Sequence, residues 1–500
     1  MQFTLPEIDW RAIAPLLALT LTGTLVMVVD LFTPRARRTG HLALISLVGL
    51  AVTGVLAVLS WDYNRTGAFA GMVAADNFTQ FFNLLFVLIT AVTILLSHEH
   101  LAEERFYTAE YYTLLLFSAA GLMLMASAAD LVMVFLGLEL LSICLYILAG
   151  FSRRRLESEE ASIKYLLLGS FATGFLLYGI ALVYGQTGST SLGCVAQALG
   201  QRSAFATDAC RALAVPGDRV PILLLVGMGF LIVGLGFKAA VAPFHMWTPD
   251  VYEGAPTAIT AYMSVAAKAA AFAAFLRVFL IAFPSLVTDW AGMIGIIAAV
   301  TMIVGNTVAI WQQNIKRMLA YSSIAHAGYI LVAVVAANQL GAQSVLFYTL
   351  AYTLMNLGAF AVVILLGRRG EENVLLADYA GLGYRQPLLA ALMVIFMLSL
   401  AGIPPTAGFV GKFYIFSAAI QAGQVPLAVV GVLASVVSVY FYIRVIYLMY
   451  MVEPSRDLGP PTRAPWASLA AGVTALGVVA LGLFPDLALQ FARASVDFVG

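Results

Sequence analysis

Fourteen apolar stretches, each long enough to cross a lipid bilayer, constrain the fold of this 500-residue chain more than any other feature. A helix rises 1.5 Å per residue, so about 20 apolar residues cross a hydrocarbon core of about 30 Å. Lipid offers the backbone no hydrogen-bond partners, which requires each crossing to be helical. The stretches lie near residues 12–31, 41–60, 78–97, 111–128, 130–150, 162–184, 222–244, 258–282, 290–310, 317–337, 343–366, 388–420, 427–451 and 466–484.

The pattern predicts an all-α polytopic membrane protein with about fourteen transmembrane helices. Composition supports this fold class, because 62% of the residues are hydrophobic and only 10% are charged. Soluble domains carry about 25% charged residues. A chain with so few charges cannot cover its surface with solvated groups, so the lipid bilayer is an expected partner. The formal net charge of zero argues against nucleic acid as a partner.

Basic residues are unevenly distributed between the two sides of the predicted membrane. One set of alternate connections contains fourteen of them: Arg35, Arg37, Arg38, Arg105, Arg153, Arg154, Arg155, Lys316, Arg317, Arg368, Arg369, Arg385, Arg456 and Arg463. The other set, with both tails, contains six: Arg11, Arg65, Arg202, Arg211, Arg219 and Arg493. Lys and Arg concentrate in cytoplasmic loops, so the alternation places both termini outside the cytoplasm.

The three cysteines, Cys144, Cys194 and Cys210, form no CxxC pair, which argues against an iron–sulfur, haem or zinc site. Cys194 and Cys210 share a polar loop that the alternation places on the outer side. In an oxidising compartment they could form a disulfide, and two separate thiols are the alternative. The sequence leaves both interpretations open.

One glutamate and three lysines lie within the apolar stretches. A charge at the centre of a membrane helix costs about 2.5–3.5 kcal/mol, so each is a candidate functional residue. Glu139 follows Asp130 by nine residues, at a depth of roughly 13 Å, which is close to the membrane midplane. Lys268 is similarly central and is surrounded by small residues. The alternative for Glu139 is a structural pair with a lysine.

The other two lysines lie beside proline residues that interrupt helices. Lys238 precedes Pro243, and Lys412 follows Pro404 and Pro405. The stretch 388–420 would be about 50 Å long as a straight helix, so it must be bent or discontinuous. Broken helices at membrane depth occur inside protein or beside water, where transport sites lie.

Buried lysines with a nearby carboxylate suit proton transfer, because burial disfavours the charged form and the carboxylate favours it. Two histidines are weaker candidates for the same path: His326, in an apolar helix, and His245, after the Pro243 break. A satisfied core histidine is the alternative in both cases.

Three further basic residues lie toward helix ends. Lys164, beside several glutamates, is able to reach water by snorkelling, and proton transfer is the less favoured interpretation. Arg277 and Arg444 are expected to anchor their helices at the lipid interface.

The settings of Lys238 and Lys412 also suggest an internal repeat. Their helices, the seventh and the twelfth, differ by five in order, so they run in opposite directions across the membrane. This predicts two inverted five-helix repeats, helices 4–8 and 9–13, with helices 7 and 12 broken. The chain is then one transmembrane domain, 1–500, whose parts are 1–110, 111–282 for the first repeat, 290–451 for the second, and 452–500 with helix 14.

Five segments resemble the antiporter-like subunits of respiratory complex I. They read GLELLSICLYIL, EEASIKYLLLGS, FKAAVAPFHMWTPDVYEGAPT, KRMLAYSSIAHAGYIL and AGIPPTAGFVGKF, and the resemblance covers nearly the whole chain. The third segment is most similar to the N type. The M type usually has a glutamate where Lys412 stands, and the L type adds a long lateral helix after the common core.

The resemblance implies a membrane-arm subunit of a bacterial proton-translocating NADH:quinone oxidoreductase, in the cytoplasmic membrane between K-type and M-type neighbours. Glu139, Lys238, Lys268 and Lys412 fall on the family's proton-transfer positions. No cofactor is implied in this chain, since NAD, FMN, iron–sulfur clusters and quinone belong to partner subunits of the respiratory chain. The alternative is a subunit of a multi-subunit sodium/proton antiporter, which shares the fold and lacks redox coupling.

Overall fold

The computed structural model describes residues 8–34, 38–104, 108–207, 210, 212–215, 220–367, 373–454 and 464–496. Among these residues, thirteen helices are long and apolar enough to cross a membrane. Two consecutive shorter helices, separated by the connection 402–406, are counted here as one further crossing. We number the crossings span 1 to span 14, with bounds Trp10–Phe32, Arg38–Leu59, Asn77–Glu104, Thr108–Ser127, Leu131–Ala149, Leu156–Thr187, Ile222–Ala239 with Trp247–Gly254, Thr257–Arg277, Val287–Trp311, Ile315–Val335, Gln339–Leu366, Pro387–Ala401 with Ala407–Gln421, Val425–Met451 and Pro465–Leu483.

The predicted all-α polytopic fold class is confirmed, and each apolar stretch coincides with one of these spans. The largest differences are at the end of span 3, the start of span 6 and the end of span 7, where the helices extend six to ten residues beyond the stretches. Several residues used to orient the chain lie outside the described residues: Arg35, Arg37, Arg105, Arg211, Arg219, Arg368, Arg369, Arg456 and Arg463. Lys316, which the sequence analysis assigned to a loop, is instead fully buried at the start of span 10. Its ammonium donates to the carbonyl oxygen of Ala255 at 2.8 Å.

Span 7 is broken, as the sequence predicted, and its first part ends at Ala239. A proline ring clashes with the carbonyl four residues earlier, and the carbonyl four residues before Pro243 is that of Ala239. The connection 240–246 begins with Ala240 in the left-handed region, φ 60°. The helix therefore ends five residues before the end of the apolar stretch 222–244.

The same rule explains the break in span 12. Its first part ends at Ala401, four residues before Pro405. Gly402 caps this end with φ 83°, a conformation that glycine adopts without the steric cost borne by other residues. The two parts of span 12 are thus separated by the connection 402–406, and the stretch 388–420 is discontinuous.

Spans 8, 10 and 11 are almost completely buried by the other helices, whereas spans 1, 2, 6, 13 and 14 expose many large apolar side chains. In a polytopic membrane protein such exposed apolar faces are the surface that meets lipid. The helices of Lys268 and His326 are therefore the innermost helices of the bundle.

Small elements lie beside the end of span 8. Strands β1 (Arg65–Gly67) and β2 (Val73–Ala75) form an antiparallel hairpin, and Val73 also pairs with Ala128. A short helix, Leu192–Ala198, contacts the π-helical turn Val278–Ala282 that continues span 8. Cys194 and Cys210 are joined by a disulfide in this region. The remaining short helices are Ala68–Gly71, Pro284–Leu286, Leu376–Tyr379, Leu382–Arg385 and Asp486–Ala494.

Arg277, at the end of span 8, is not the interface anchor that its position suggested. Its side chain is fully buried and donates to both carboxylate oxygens of Asp76 at 2.6 Å, and to Thr79 at 2.9 Å. Burial alone raises the pKa of Asp76, but the Arg277 charge and hydrogen bonds outweigh it and hold that pKa below its usual value. The pair joins the start of span 3 to the end of span 8.

Candidate functional site

Lys268 lies in the middle of span 8 and is 2% exposed. Alanines at most neighbouring positions let the surrounding helices approach closely. The ammonium donates to the backbone carbonyl of Ser323 on span 10, with Nζ and O separated by 2.5 Å. The structure thus places this lysine at the centre of the bundle, where its named hydrogen-bond partner is neutral.

Lys238 lies in the last turn of the first part of span 7 and is also 2% exposed. Its ammonium donates to Ser142 Oγ on span 5 and to Tyr165 OH on span 6, both at 2.9 Å. The Tyr165 ring stacks on Trp247, the first residue of the second part of span 7, with centroids 4.4 Å apart. The two sides of the break are therefore connected through the lysine's tyrosine partner.

Glu139 is partly buried on span 5, and its Oε1 atom is buried without a hydrogen-bond partner. Ser142, which binds Lys238, lies one helical turn further along the same span. The carboxylate interacts electrostatically with Lys238, but no ion pair within 4.0 Å joins the two described side chains. The alternative of a tight structural pair is therefore not what the structure shows.

Lys412 lies in the second part of span 12 and is 5% exposed. Its ammonium donates to the carbonyl oxygens of Leu400 and Ala401, at 3.1 and 3.0 Å, and to Ser435 Oγ at 2.8 Å. These carbonyls end the first part of span 12, where the helix dipole favours a cation. The Tyr329 ring lies 4.9 Å from the ammonium and adds a cation–π contact.

The two proline breaks thus position their lysines differently. Lys238 precedes its break and binds side chains of neighbouring spans, whereas Lys412 follows its break and binds carbonyls that the break leaves free. Each half of the chain thus has a lysine beside a proline break, but the ligands of the two ammonium groups differ.

His326 is 1% exposed on span 10, one turn after Ser323. Its Nδ1 atom hydrogen-bonds Tyr348 OH at 2.7 Å, and its Nε2 atom hydrogen-bonds Tyr442 OH at 3.0 Å. Tyr442 also hydrogen-bonds Ser322. Both ring nitrogens are thus satisfied, as in a core histidine, by hydroxyl groups that can both donate and accept a proton.

His245 lies in the connection 240–246 of span 7 and is half-buried. Its Nδ1 atom is buried without a hydrogen-bond partner, and the ring interacts electrostatically with Lys268. The structure therefore places it near the lysine of span 8 without a hydrogen bond to any of the other five candidate residues.

Sequence reasoning missed the hydroxyl groups that hold these charged residues: Ser142, Tyr165, Tyr348, Ser435 and Tyr442. Uncharged serines and tyrosines are common in membrane helices, so their presence alone carries no signal. The position of Ser142, one turn after Glu139, was the one available indication.

A charged cluster lies at the end of span 7, at the surface. Asp250 accepts from Lys164 on span 6 at 2.8 Å and from Arg317 on span 10 at 2.9 Å. Glu253 accepts from Arg317 at 2.7 Å, and Glu160 pairs with Lys164 at 2.5 Å. Lys164 therefore joins a network of ion pairs between helices. In the described part of the chain, no three His, Cys, Asp or Glu side chains are grouped to bind a metal ion.

Comparison with known proteins agrees with the resemblance seen in the sequence. Residues 128–438 match the family described as NADH:quinone oxidoreductase/Mrp antiporter, TM. The chain therefore belongs to this family of membrane subunits. NADH-quinone oxidoreductase subunit N of Trichlorobacter lovleyi is 47% identical over 98% of both chains. Subunit N 1 of Herpetosiphon aurantiacus is 47% identical over 99% of this chain and 98% of the relative.

Solved structures show the same architecture. A chain of respiratory complex I from Thermus thermophilus is 36% identical, with a TM-score of 0.79, over 96% of this chain and 100% of that one. A chain of the Mrp complex from Dietzia has a TM-score of 0.83 over 98% of both chains but is only 22% identical, so it shows the shared fold alone. The predicted similarity to the N type of complex I subunit is confirmed.

Proposed function

We propose that this chain is a membrane-arm subunit of a proton-translocating NADH:quinone oxidoreductase and that it carries protons across the membrane. One observation supports this proposal most directly. Lys238, Lys268 and Lys412 are each at most 5% exposed, and neutral hydroxyl and carbonyl groups accept hydrogen bonds from their ammonium groups. A buried ammonium without a paired carboxylate is expensive, so its proton is readily released when the neighbouring charges change.

The geometry supports a path with three parts. Glu139 influences Lys238 from span 5, at a separation that lets its charge act without trapping the proton in an ion pair. Lys268 joins span 8 to span 10, where His326 and its two tyrosines continue the polar path. Lys412 ends the path beside the Tyr329 ring. His245 lies in the connection that follows Lys238 and interacts electrostatically with Lys268.

In this function the chain performs no redox chemistry itself. NADH oxidation and quinone reduction, with NAD, FMN, iron–sulfur clusters and quinone, belong to partner subunits of the complex, and conformational or electrostatic changes reach this chain through K-type and M-type neighbours. Residues 111–282 and 290–451 act as the two repeats between residues 1–110 and 452–500.

The membrane is the bacterial cytoplasmic membrane, with both termini on the periplasmic side. Two observations support this orientation. The arginine-rich connections alternate with poorly charged ones. The Cys194–Cys210 disulfide belongs to the loop that this orientation places outside, where disulfides persist.

The second candidate, a sodium/proton antiporter subunit, is favoured by the similarity of the fold to an Mrp complex chain. That likeness has 22% identity, whereas the complex I chain has 36% and the subunit N relatives have 47%. The greater sequence similarity supports redox-driven translocation as the main proposal.

Replacing Lys268 by alanine in the assembled complex tests the proposal. Removing a proton-transfer group slows the step by about a hundredfold or more, so we expect NADH-driven proton uptake into proteoliposomes to lose this chain's contribution. Co-purification of the flavin and iron–sulfur subunits establishes that the complex is assembled. Lys268→Arg is the matched variant, because it keeps the positive charge but does not release a proton. Normal pumping in both variants would overturn the proposed path, and sodium-dependent proton flux without NADH would support the antiporter.

A further inference from the structure

Arg444 lies on the surface of span 13, seven residues before its end at Met451. Its Nη1 group donates to the carbonyl oxygens of Ile310 and Gln312, at 3.1 and 3.2 Å, and its Nη2 group donates to Gln313 Oε1 at 2.9 Å. These acceptors lie at the end of span 9, so the arginine caps the carbonyl end of a neighbouring helix.

This capping leaves much of the arginine's binding capacity unused. The three hydrogen bonds engage three of its five N–H donors. A helix carboxyl end carries a partial charge of about −0.5, which offsets only about half of the guanidinium charge. Among the described residues, no carboxylate lies within 4.0 Å of this guanidinium. A further anionic partner is therefore chemically favoured.

The surface beside Arg444 is an open groove of about 490 Å³. Apolar and aromatic side chains line it: Val439, Tyr440, Ile443, Tyr447 and Leu448. Tyr447, four residues before the end of span 13, is more than half exposed, and Trp311, the last residue of span 9, is 80% exposed. Exposed Trp and Tyr side chains at helix ends mark the level of the lipid headgroups.

From this combination we infer that the groove, which Arg444 lines, binds an anionic phospholipid of the leaflet that the proposed orientation makes cytoplasmic. The guanidinium binds the phosphate through its free N–H donors, and an acyl chain lies along the apolar lining. A lipid fits better than a polypeptide, because the charge lies at headgroup depth and the surface below it is apolar. This site is separate from the proton path and does not depend on it.

Native mass spectrometry of the purified complex, wild type against Arg444→Gln, tests the inference. The probe is phosphatidylglycerol or cardiolipin added back after delipidation. Loss of one charge-assisted phosphate contact should weaken binding about tenfold, or about 1.4 kcal/mol, and remove one class of lipid adduct. Arg154→Gln, on an exposed connection outside the groove, is the matched control and should retain the adduct.

A photo-reactive amino acid in place of Tyr447 identifies the occupant directly. Cross-linked products with the mass of a phospholipid support the inference, and phosphatidylcholine substituted for the anionic lipids should reduce their yield. Cross-linking to another subunit, or equal lipid adducts in the Arg444→Gln and wild-type complexes, would overturn it. NADH-driven pumping by the assembled Arg444→Gln complex separates this outcome from a failure of the proton path.

Discussion

Lys412 illustrates how the interior of a membrane protein holds a positive charge without a carboxylate. The proline pair in the connection 402–406 ends one half-helix, and the carbonyls of Leu400 and Ala401 then face the ammonium. Gly402 is part of this arrangement, since its close approach to the lysine side chain leaves little space for a Cβ atom. The helix break thus also creates the binding site for the ammonium.

Tyr442 is the hydroxyl group whose removal best tests the path near His326. Tyr442→Phe keeps the ring but removes hydrogen bonds to His326 Nε2 and Ser322. Leaving such buried groups unsatisfied costs about 1–3 kcal/mol of stability. We expect proton pumping by the assembled complex to fall by about tenfold or more, because the relay loses a donor and acceptor.

The control for this experiment lies two residues earlier on the same span. Tyr440 is 60% exposed on the apolar surface, so Tyr440→Phe should leave the pumping rate close to that of the wild type. Proton uptake and NADH oxidation are measured together in proteoliposomes. If Tyr442→Phe pumps as well as Tyr440→Phe, the hydroxyl group is structural and takes no part in proton transfer.

The six candidate residues could be found from the sequence because charge is rare and expensive within apolar helices. Their partners could not, since a serine or tyrosine in a membrane helix carries no comparable energetic signal. Arg277 shows the limit of position alone: its location near a helix end suggested lipid anchoring, yet Asp76, 201 residues earlier, accepts its charge inside the protein. Such long-range pairing requires the folded structure.

The second part of span 7, Trp247–Gly254, is the element through which surface charge and the buried site are connected. Its Asp250 binds Lys164 and Arg317, while its Trp247 stacks on Tyr165, the partner of Lys238. Because Lys164 belongs to span 6 and Arg317 to span 10, the network ties span 7 to both of these helices. We therefore expect the surface ion pairs to position Tyr165.

Asp250→Asn tests this positioning role. Partly exposed ion pairs contribute about 0.2–1 kcal/mol each, so assembly and thermal stability should change little. The pumping rate should nevertheless fall several-fold and lose its sensitivity to ionic strength, since the screened interactions are absent from the variant. Pumping is measured over a range of salt concentrations, and Asp250→Glu, which keeps the charge, should restore most of the rate.

Glu160→Gln is the matched control, because Glu160 pairs with Lys164 but lies on span 6 and not on the second part of span 7. It should leave both pumping and salt dependence close to the wild type. Equal effects of Asp250→Asn and Glu160→Gln on pumping would mean that the pumping rate depends on the charge around Lys164 and not on the position of the second part of span 7.

Among the elements, the helix breaks could be predicted from the positions of the prolines. The small elements beside the end of span 8 could not, because no sequence pattern indicates them. Each helix ends four residues before its proline, at Ala239 and at Ala401. The hairpin of β1 and β2 is too short for an alternating pattern, and its pairing with Ala128 depends on tertiary contacts. Local sequence therefore predicted where helices stop but not what lies beside their ends.

For the whole molecule, the bilayer makes the fold unusually predictable. Each crossing needs a minimum apolar length, so all fourteen spans could be located, including the one made of two short helices. The order of burial was not predictable in this way, because nearly every span is apolar. Spans 8 and 10 are innermost for two reasons. Their small residues let neighbouring helices pack closely, and their polar groups find hydrogen-bond partners on those helices, which lipid does not offer.

The orientation of the whole chain predicts a specific pattern of cysteine labelling. If both termini are periplasmic, the Cys194–Cys210 disulfide faces the periplasm. Cys194 and Cys210 are themselves buried, so the probe is Arg202→Cys, at an exposed position of the same loop. In intact spheroplasts, a membrane-impermeant maleimide should label this variant. The wild-type chain should stay unlabelled, since its disulfide offers no thiol and Cys144 is buried in span 5.

Inverted membrane vesicles provide the decisive counterpart, because they expose the cytoplasmic side to the same reagents. The proposed orientation requires strong labelling of the Arg202→Cys variant in spheroplasts and none in inverted vesicles, and the wild-type chain should give no signal in either preparation. The reverse pattern would show that the arginine-rich connections lie outside, against the charge asymmetry from which the orientation was inferred. Because one missing span would move the disulfide to the other side, the same measurement tests whether six or seven crossings precede its loop.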